Sequence, residues 1–287
     1  MSRTLQKHVW NSPVVRSFWE SVGGRCPEDA VRRICDQMTG GLRRNEPPFQ
    51  SDRYEYAELL GVRVIEKEIS DRKLQGVLST CGNEFLILIN KNDSPERKSF
   101  TVCHEVGHIQ MLKAAESTLG RDRVLKHVAG SREEEFLSDA FAINLLMPRQ
   151  DFKRAARDLD MSMTSLSELA KRYRTSIEAA ARRVVGLNVW PCSVLWGSLE
   201  KLCGGSFAVK ISNHIHSASL ATPPLSNERH VRWCVDAVWK AYDNRRLTRS
   251  PVTFRHPGQQ TVEKWWFECV HRTDHRGESF LALMFRQ

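Results

Sequence analysis

The stretch Thr101 to Gln110, TVCHEVGHIQ, constrains this chain more than any other because it places His104 and His108 four residues apart. Four residues is a little over one α-helical turn, so on a helix both imidazoles leave the same face with Cβ atoms about 6 Å apart. Helix signals surround the stretch: Ser94 stands where a cap would, Pro95 opens the first turn, and Phe100, Cys103, Gly107 and Met111 recur on one face. A second helix is expected in EEEFLSDAFAINLLM, ended by Pro148. Its apolar positions Phe136, Ala140, Phe141, Ile143, Leu145 and Leu146 are too many for a surface helix.

The spacing of the two histidines lets both hold one tetrahedral zinc, and Glu105 lies about 100° round the helix from His104. That is too far for the same ligand sphere but near enough to reach a water polarised by the metal and act as general base. Zinc lowers the pKa of such a water towards about 7, and the reaction implied is amide hydrolysis. A His-Glu-x-x-His pattern also arises by accident, so alone it leaves catalysis and coincidence equally open. A catalytic zinc needs a third protein ligand, and Glu135 opens a Glu-x-x-x-Asp pair with Asp139 on the next helix. One of the two can bind metal while the other accepts the N–H of a ligand imidazole. Unpaired carboxylates on so apolar a helix would otherwise be costly to bury. The alternative for Glu135 is a place in the solvated run Arg132 to Glu135, favouring the helix dipole, as Glu133 and Glu134 are expected to do.

The remainder of the chain reads as α+β. Two helical stretches fill residues 10 to 60, broken by VGGRCPED and NEPPFQSD. VRVIEKEI, LQGVLST and FLILIN read as a small antiparallel sheet. Residues 114 to 131 are polar and ambiguous, a short helix is expected from Gln150 to Leu159, and LSELAKRYRTSIEAAARRVVGL reads as two helices hinged near Arg174. Beyond Leu187 short strands alternate with one helical segment near Asn227 to Tyr242, and six of the eight tryptophans lie there, arguing for a separate core. The expected parts are an N-terminal and peptidase segment over 1–155, a helix-turn-helix-like segment over 156–187, and a C-terminal α+β domain over 188–287.

These residues and motifs resemble a known family. Arg97-x-x-Phe-Thr-x-x-His-Glu-x-Gly-His108 followed by Glu135-x-x-x-Asp-x-Phe-Ala-x-x-Leu-Leu-Met-Pro148 is similar to the ImmA/IrrE zinc peptidases, and Leu169-Ala-x-x-Tyr-x-x-Ser-x-x-Ala179 to the helices that follow their core. The resemblance implies a mainly helical zincin-like core with His104, His108 and Glu135 as zinc ligands, Glu105 as base and Asp139 behind a ligand. It implies cleavage of a helix-turn-helix repressor or antitoxin-like regulator in an intracellular stress-response or mobile-element switch. The layout is similar to longer IrrE-type members, which implies a GAF-like sensor in the C-terminal domain. Two positions depart from the family pattern: Cys103 stands where alanine is common, as a redox-sensitive thiol or a small buried residue, and Ser138 replaces another small residue.

Composition narrows the setting. The eight cysteines are scattered with no C-x-x-C pair, and no run of about 18 apolar residues occurs, so a cytoplasmic protein without membrane contact is expected. The formal charge of +9 favours acidic partners including nucleic acid, but the basic residues are spread out, so DNA contact is weakly supported. The second helix of the helix-turn-helix offers Arg182 and Arg183 and an Ala179 to Ala181 face built for packing, which favours a supporting or docking role over base reading. His214 and His216 alternate in SNHIHS without a carboxylate or cysteine at ligand spacing. His127 and Tyr173 are alternative oxyanion donors, and the strand Phe85 to Asn90 is a candidate to pair with an extended peptide. A non-proteolytic DNA- or protein-binding regulator with a structural or vestigial metal site is the alternative function.

Overall fold

The computed structural model describes residues 10–42, 54–70, 76–81, 84–125, 130–201, 206–220, 230–231, 234–255, 262–274 and 277–286. The chain divides into two compact units, one of residues 1–148 with 172–175, the other of residues 149–171 with 176–287. Its class is α+β.

The first unit contains α1 (Pro13–Val22), α2 (Pro27–Leu42), a one-turn α3 (Glu55–Glu58), strands β1 (Arg63–Lys67), β2 (Gly76–Cys81) and β3 (Glu84–Asn90), then α4 (Pro95–Leu119), α5 (Arg121–Leu125) and α6 (Arg132–Leu146). Helix α4 is 25 residues long. Ser94 Oγ accepts the Arg97 N–H at its start, and Gly120, at a φ of 81° that glycine adopts without strain, closes its end. The polar stretch that is ambiguous in sequence therefore continues α4 to Leu119, because Leu112 and Ala115 keep its inner face buried.

The three strands are ordered β1-β3-β2, with β2 antiparallel and β1 parallel to β3. The sheet is thus mixed where an antiparallel one is expected. The apolar run FLILIN takes the centre because Ile87 and Ile89 are fully buried, leaving the more polar β1 and β2 at the edges. Val102, Val106, Ile109, Met111, Leu137, Phe141 and Leu145 complete this core, with the rings of Phe18 and Phe141 5.8 Å apart. Lys98 Nζ holds the Glu66 carboxylate at 2.6 Å, and the Tyr54 hydroxyl donates to the same group, fixing β1 to the start of α4.

Helix α6 shows a different face from the one its composition suggests. Leu137, Ser138, Phe141, Ala142 and Leu145 are buried, whereas Phe136 is 55% exposed. Glu133 and Glu134 do more than favour the dipole. Glu133 accepts the backbone N–H of Asn11 and of Ser12, and buried Glu134 accepts from the Ser12 hydroxyl at 2.6 Å, so the first turn of α6 holds the start of α1.

The second unit contains α7 (Arg149–Arg157), α8 (Met163–Arg172), whose last residue is counted with the first unit, α9 (Ile177–Gly186), β4 (Cys192–Lys201), β5 (Phe207–His216), β6 (His230–Val231), α10 (Val235–Asn244), β7 (Thr248–Arg255), β8 (Val262–Asp274) and β9 (Gly277–Arg286). Its antiparallel sheet runs β6-β5-β4-β9-β8-β7. Trp265, Phe267 and Phe280 pack with Val238 and Ala241 of α10. The helical segment expected from Asn227 begins at Val235, and Asn227 itself and Trp233 lie outside the described residues. A bulge at Trp196/Gly197 needs its glycine, since a Cβ there would sit 2.2 Å from the Lys210 carbonyl oxygen.

Candidate metal centre

Helices α4 and α6 cross at a glycine. A Cβ on Gly107 would lie 2.8 Å from Phe141 Cβ and 3.0 Å from Ser138 Cα, closer than a side chain tolerates. The glycine inside His-Glu-Val-Gly-His therefore sets the spacing that lets α6 present Glu135 to the two histidines of α4.

The structure brings His104, His108 and Glu135 together, with a donor atom from each lying within 4.8 Å of the others. The His104 and His108 Nε2 atoms are 3.2 Å apart, and Glu135 oxygens lie 3.3 Å from each of them. Ligands at about 2.0–2.2 Å from a tetrahedral zinc stand about 3.3–3.6 Å from each other, close to the spacing of the two imidazole nitrogens, each of which faces a different oxygen of Glu135. His104 Nδ1 sits 2.9 Å from Asp139 Oδ1. With its Nδ1–H donated to that carboxylate, its Nε2 carries a lone pair directed at His108 and Glu135. Two imidazole nitrogens and a carboxylate facing one another at this distance are a donor set that fits zinc.

Neither carboxylate is buried: the side chains of Glu135 and Asp139 are 52% and 56% exposed. This differs from the apolar surroundings read from the helix composition, because both residues lie on the outward arc of α6 beside Phe136. Burial lowers the His104 pKa, but the Asp139 hydrogen bond and the charges of Glu105, Asp139 and Glu135 outweigh it and raise the net value. Glu105, only 8% exposed, is pushed up to about 7, first by burial and further by Glu135, against the pull of His104.

Two further glycines border the site, and neither carries a metal-site signal in sequence. A Cβ on Gly76, at the start of β2, would lie 2.3 Å from Thr101 Cγ2 and 3.3 Å from Glu105 Oε1, so this edge strand runs against the carboxylate. A Cβ on Gly130 would lie 2.6 Å from Glu135 Oε1 and 2.9 Å from His108 Cε1. In sequence Gly130 falls in the polar, ambiguous stretch 114 to 131. Phe100 lies with its ring centre 6.2 Å from that of His104.

Other candidates fall elsewhere. Cys103 is 1% exposed and its thiol is pushed up to about 12 by burial, which suits a small packing residue and leaves almost no thiolate. His214 and His216 are exposed on β5, and no second His/Cys/Asp/Glu metal cluster occurs among the described residues. Tyr173 is buried between α8 and α9, and His127 lies outside the described residues. The strand Phe85 to Asn90 is paired on both sides, so it has no edge to offer a peptide; among the described residues the outer edges belong to β1 and β2. On α9, Arg182 is engaged by Glu178 at 2.9 Å and stacks 4.3 Å over the ring of Trp196, in keeping with a packing role.

The fold is similar to that of a solved Mycobacterium tuberculosis transcriptional regulator, with a TM-score of 0.55 and 14% identity over 96% of this chain and 82% of that chain. A likeness at this identity is one of fold. The segment that carries the three donors is more specific: residues 57–185 match the IrrE N-terminal-like domain, Peptidase_M78. No curated protein matches the chain. No helix among the described residues is long and apolar enough to cross a membrane.

Proposed function

We propose that this protein is a zinc-dependent endopeptidase in which His104, His108 and Glu135 hold the metal, Glu105 is the general base and Asp139 orients His104. The observation that supports the reading best is the set of three donor separations of 3.2–3.3 Å beside a buried glutamate. Zinc held there would supply Lewis-acid polarisation of the scissile carbonyl and acidification of the attacking water. Glu105 takes the proton of that water and passes it to the leaving amine. Asp139 keeps His104 in the tautomer whose Nε2 faces the site. The substrate peptide pairs in extended form with the outer edge of β2, the strand whose Gly76 approaches Glu105.

The substrate in this reading is a regulatory protein such as a helix-turn-helix repressor or antitoxin-like regulator, cleaved in the cytoplasm as part of a stress-response or mobile-element switch. Functionally we divide the chain into a peptidase part over 1–155, a helix-turn-helix-like part over 156–187 and a sensor over 188–287. Incubating the full chain with a helix-turn-helix regulator from the same organism, one encoded beside its gene above all, tests the assignment. Cleavage is expected to be abolished by chelator, and Glu105→Gln is expected to slow it by about 10²–10⁴-fold while bound zinc is unchanged. Zinc bound at one equivalent with no cleavage of that regulator would instead favour the non-proteolytic regulator with a structural metal.

A further inference from the structure

Helix α7 carries a cationic face with no carboxylate between its four cations, and the exposed Asp158 follows just past its last residue. Its sequence is RQDFKRAAR, and Phe152, Ala155, Ala156 and Asp151 form the buried side. At about 100° per residue the other side holds Arg149, Lys153, Arg157, Gln150 and Arg154 in an arc of about 140°. Arg149, Gln150, Arg154 and Arg157 are exposed and Lys153 is half-buried. None of the four cations pairs with a carboxylate among the described residues, in contrast to Arg32, Arg121, Arg182, Arg272 and Arg286, each of which has an acidic partner. An ordinary solvated face mixes both signs of charge along its length, whereas here the one exposed carboxylate, Asp158, stands at the C-terminal margin.

The chemistry of the face selects among anionic partners. A protein interface gathers aromatic and apolar anchors at its centre, and a membrane-surface helix needs an apolar face to insert. No large hydrophobic residue of α7 is exposed, so the face offers charge and hydrogen-bond donors alone. Three of the four cations are arginines, whose planar fork matches phosphate oxygens. Arg149, Lys153 and Arg157 advance about 6 Å per step along one line, spanning about three to four phosphates of a DNA strand. Arg154 stands on the opposite margin of the arc. A helix about 10–12 Å across fits the major groove of B-form DNA, about 12 Å wide, where the two margins would face the two phosphate walls. The major groove of A-form RNA is too narrow to admit it.

We propose that α7 is a docking surface for the phosphate backbone of duplex DNA, binding without regard to sequence and independently of the metal centre. Anisotropy of a labelled 20-base-pair mixed-sequence duplex, titrated with the full chain at 50 and 200 mM salt, tests it. Four phosphate contacts predict a fall in affinity of about 150-fold between those salts. The R149Q/K153Q/R154Q/R157Q variant is expected to lose most binding and most of that salt dependence. The R16Q/R33Q/K67Q/R123Q variant, which removes equal charge from exposed sites elsewhere, is expected to keep both. Circular dichroism of both variants controls for folding. The proposal is overturned if the α7 variant binds like wild type, if both variants lose binding equally, or if an A-form RNA duplex, anionic vesicles or polyglutamate are bound through α7 in place of B-form DNA.

Discussion

The helix pairs α4/α6 and α8/α9 both stand out in the sequence, one as a metal motif and the other as a helix-turn-helix, but the structure uses their polar side chains in opposite ways. Between α4 and α6, two imidazoles and a carboxylate converge within 3.3 Å. At α8 and α9 the fold uses the polar groups that are buried or half-buried at its contacts. Buried Glu268 accepts the Met163 N–H at the start of α8 at 2.6 Å, and Glu178 takes both Arg182 and Arg272. The difference teaches that a motif becomes a site where side chains leave their chemistry unspent, and scaffolding where neighbours satisfy it.

Breaking the α4/α6 arrangement should have the larger consequences. Asp139→Asn keeps the size of the group but cannot hold the His104 tautomer with a charged acceptor. Zinc affinity measured by chelator competition is expected to drop by about 10–100-fold, and an unchanged affinity would remove Asp139 from the site. Gly107→Ala forces a methyl against Phe141 and Ser138 and should lower stability by about 1–3 kcal/mol, read from denaturant unfolding, with zinc affinity falling in parallel. A Gly107→Ala protein of full stability would mean that α4 and α6 do not approach as closely as described. Glu178→Gln, on the scaffolding side, should cost under about 1 kcal/mol and leave zinc binding untouched.

The pH dependence of that last pair sharpens the contrast. Burial raises the Glu178 pKa, but hydrogen bonds from Arg272 and Arg182 outweigh it and hold the folded value below the ordinary 4.5. A depressed carboxylate contributes stability that is present above its unfolded pKa and is lost as pH falls through the folded one. Wild type and Glu178→Gln should therefore differ most above pH 4.5 and converge in stronger acid.

Much of the candidate site is legible because its residues are spaced along helices: four residues from His104 to His108 and four from Glu135 to Asp139 fix shared faces whatever the rest of the chain does. Gly76 and Gly130 were not legible as site residues, since their need to lack a side chain comes from chain segments distant in sequence. The exposure of Phe136 is not legible because an apolar pattern does not say which side of a helix faces water. The parallel pairing of β1 with β3 was hidden for a related reason. Alternation identifies strands but not their neighbours, and the FLILIN run could claim the centre only once a helix covered it.

The claim on which the account rests is that His104, His108 and Glu135 together hold one zinc. Calorimetric titration of zinc into the metal-free full chain, beside the Glu135→Gln variant, tests it most directly. The account predicts one site in the wild type, weakened by more than about 100-fold in the variant while both proteins remain folded. Equal zinc binding by the two proteins, or none by the wild type, would contradict it.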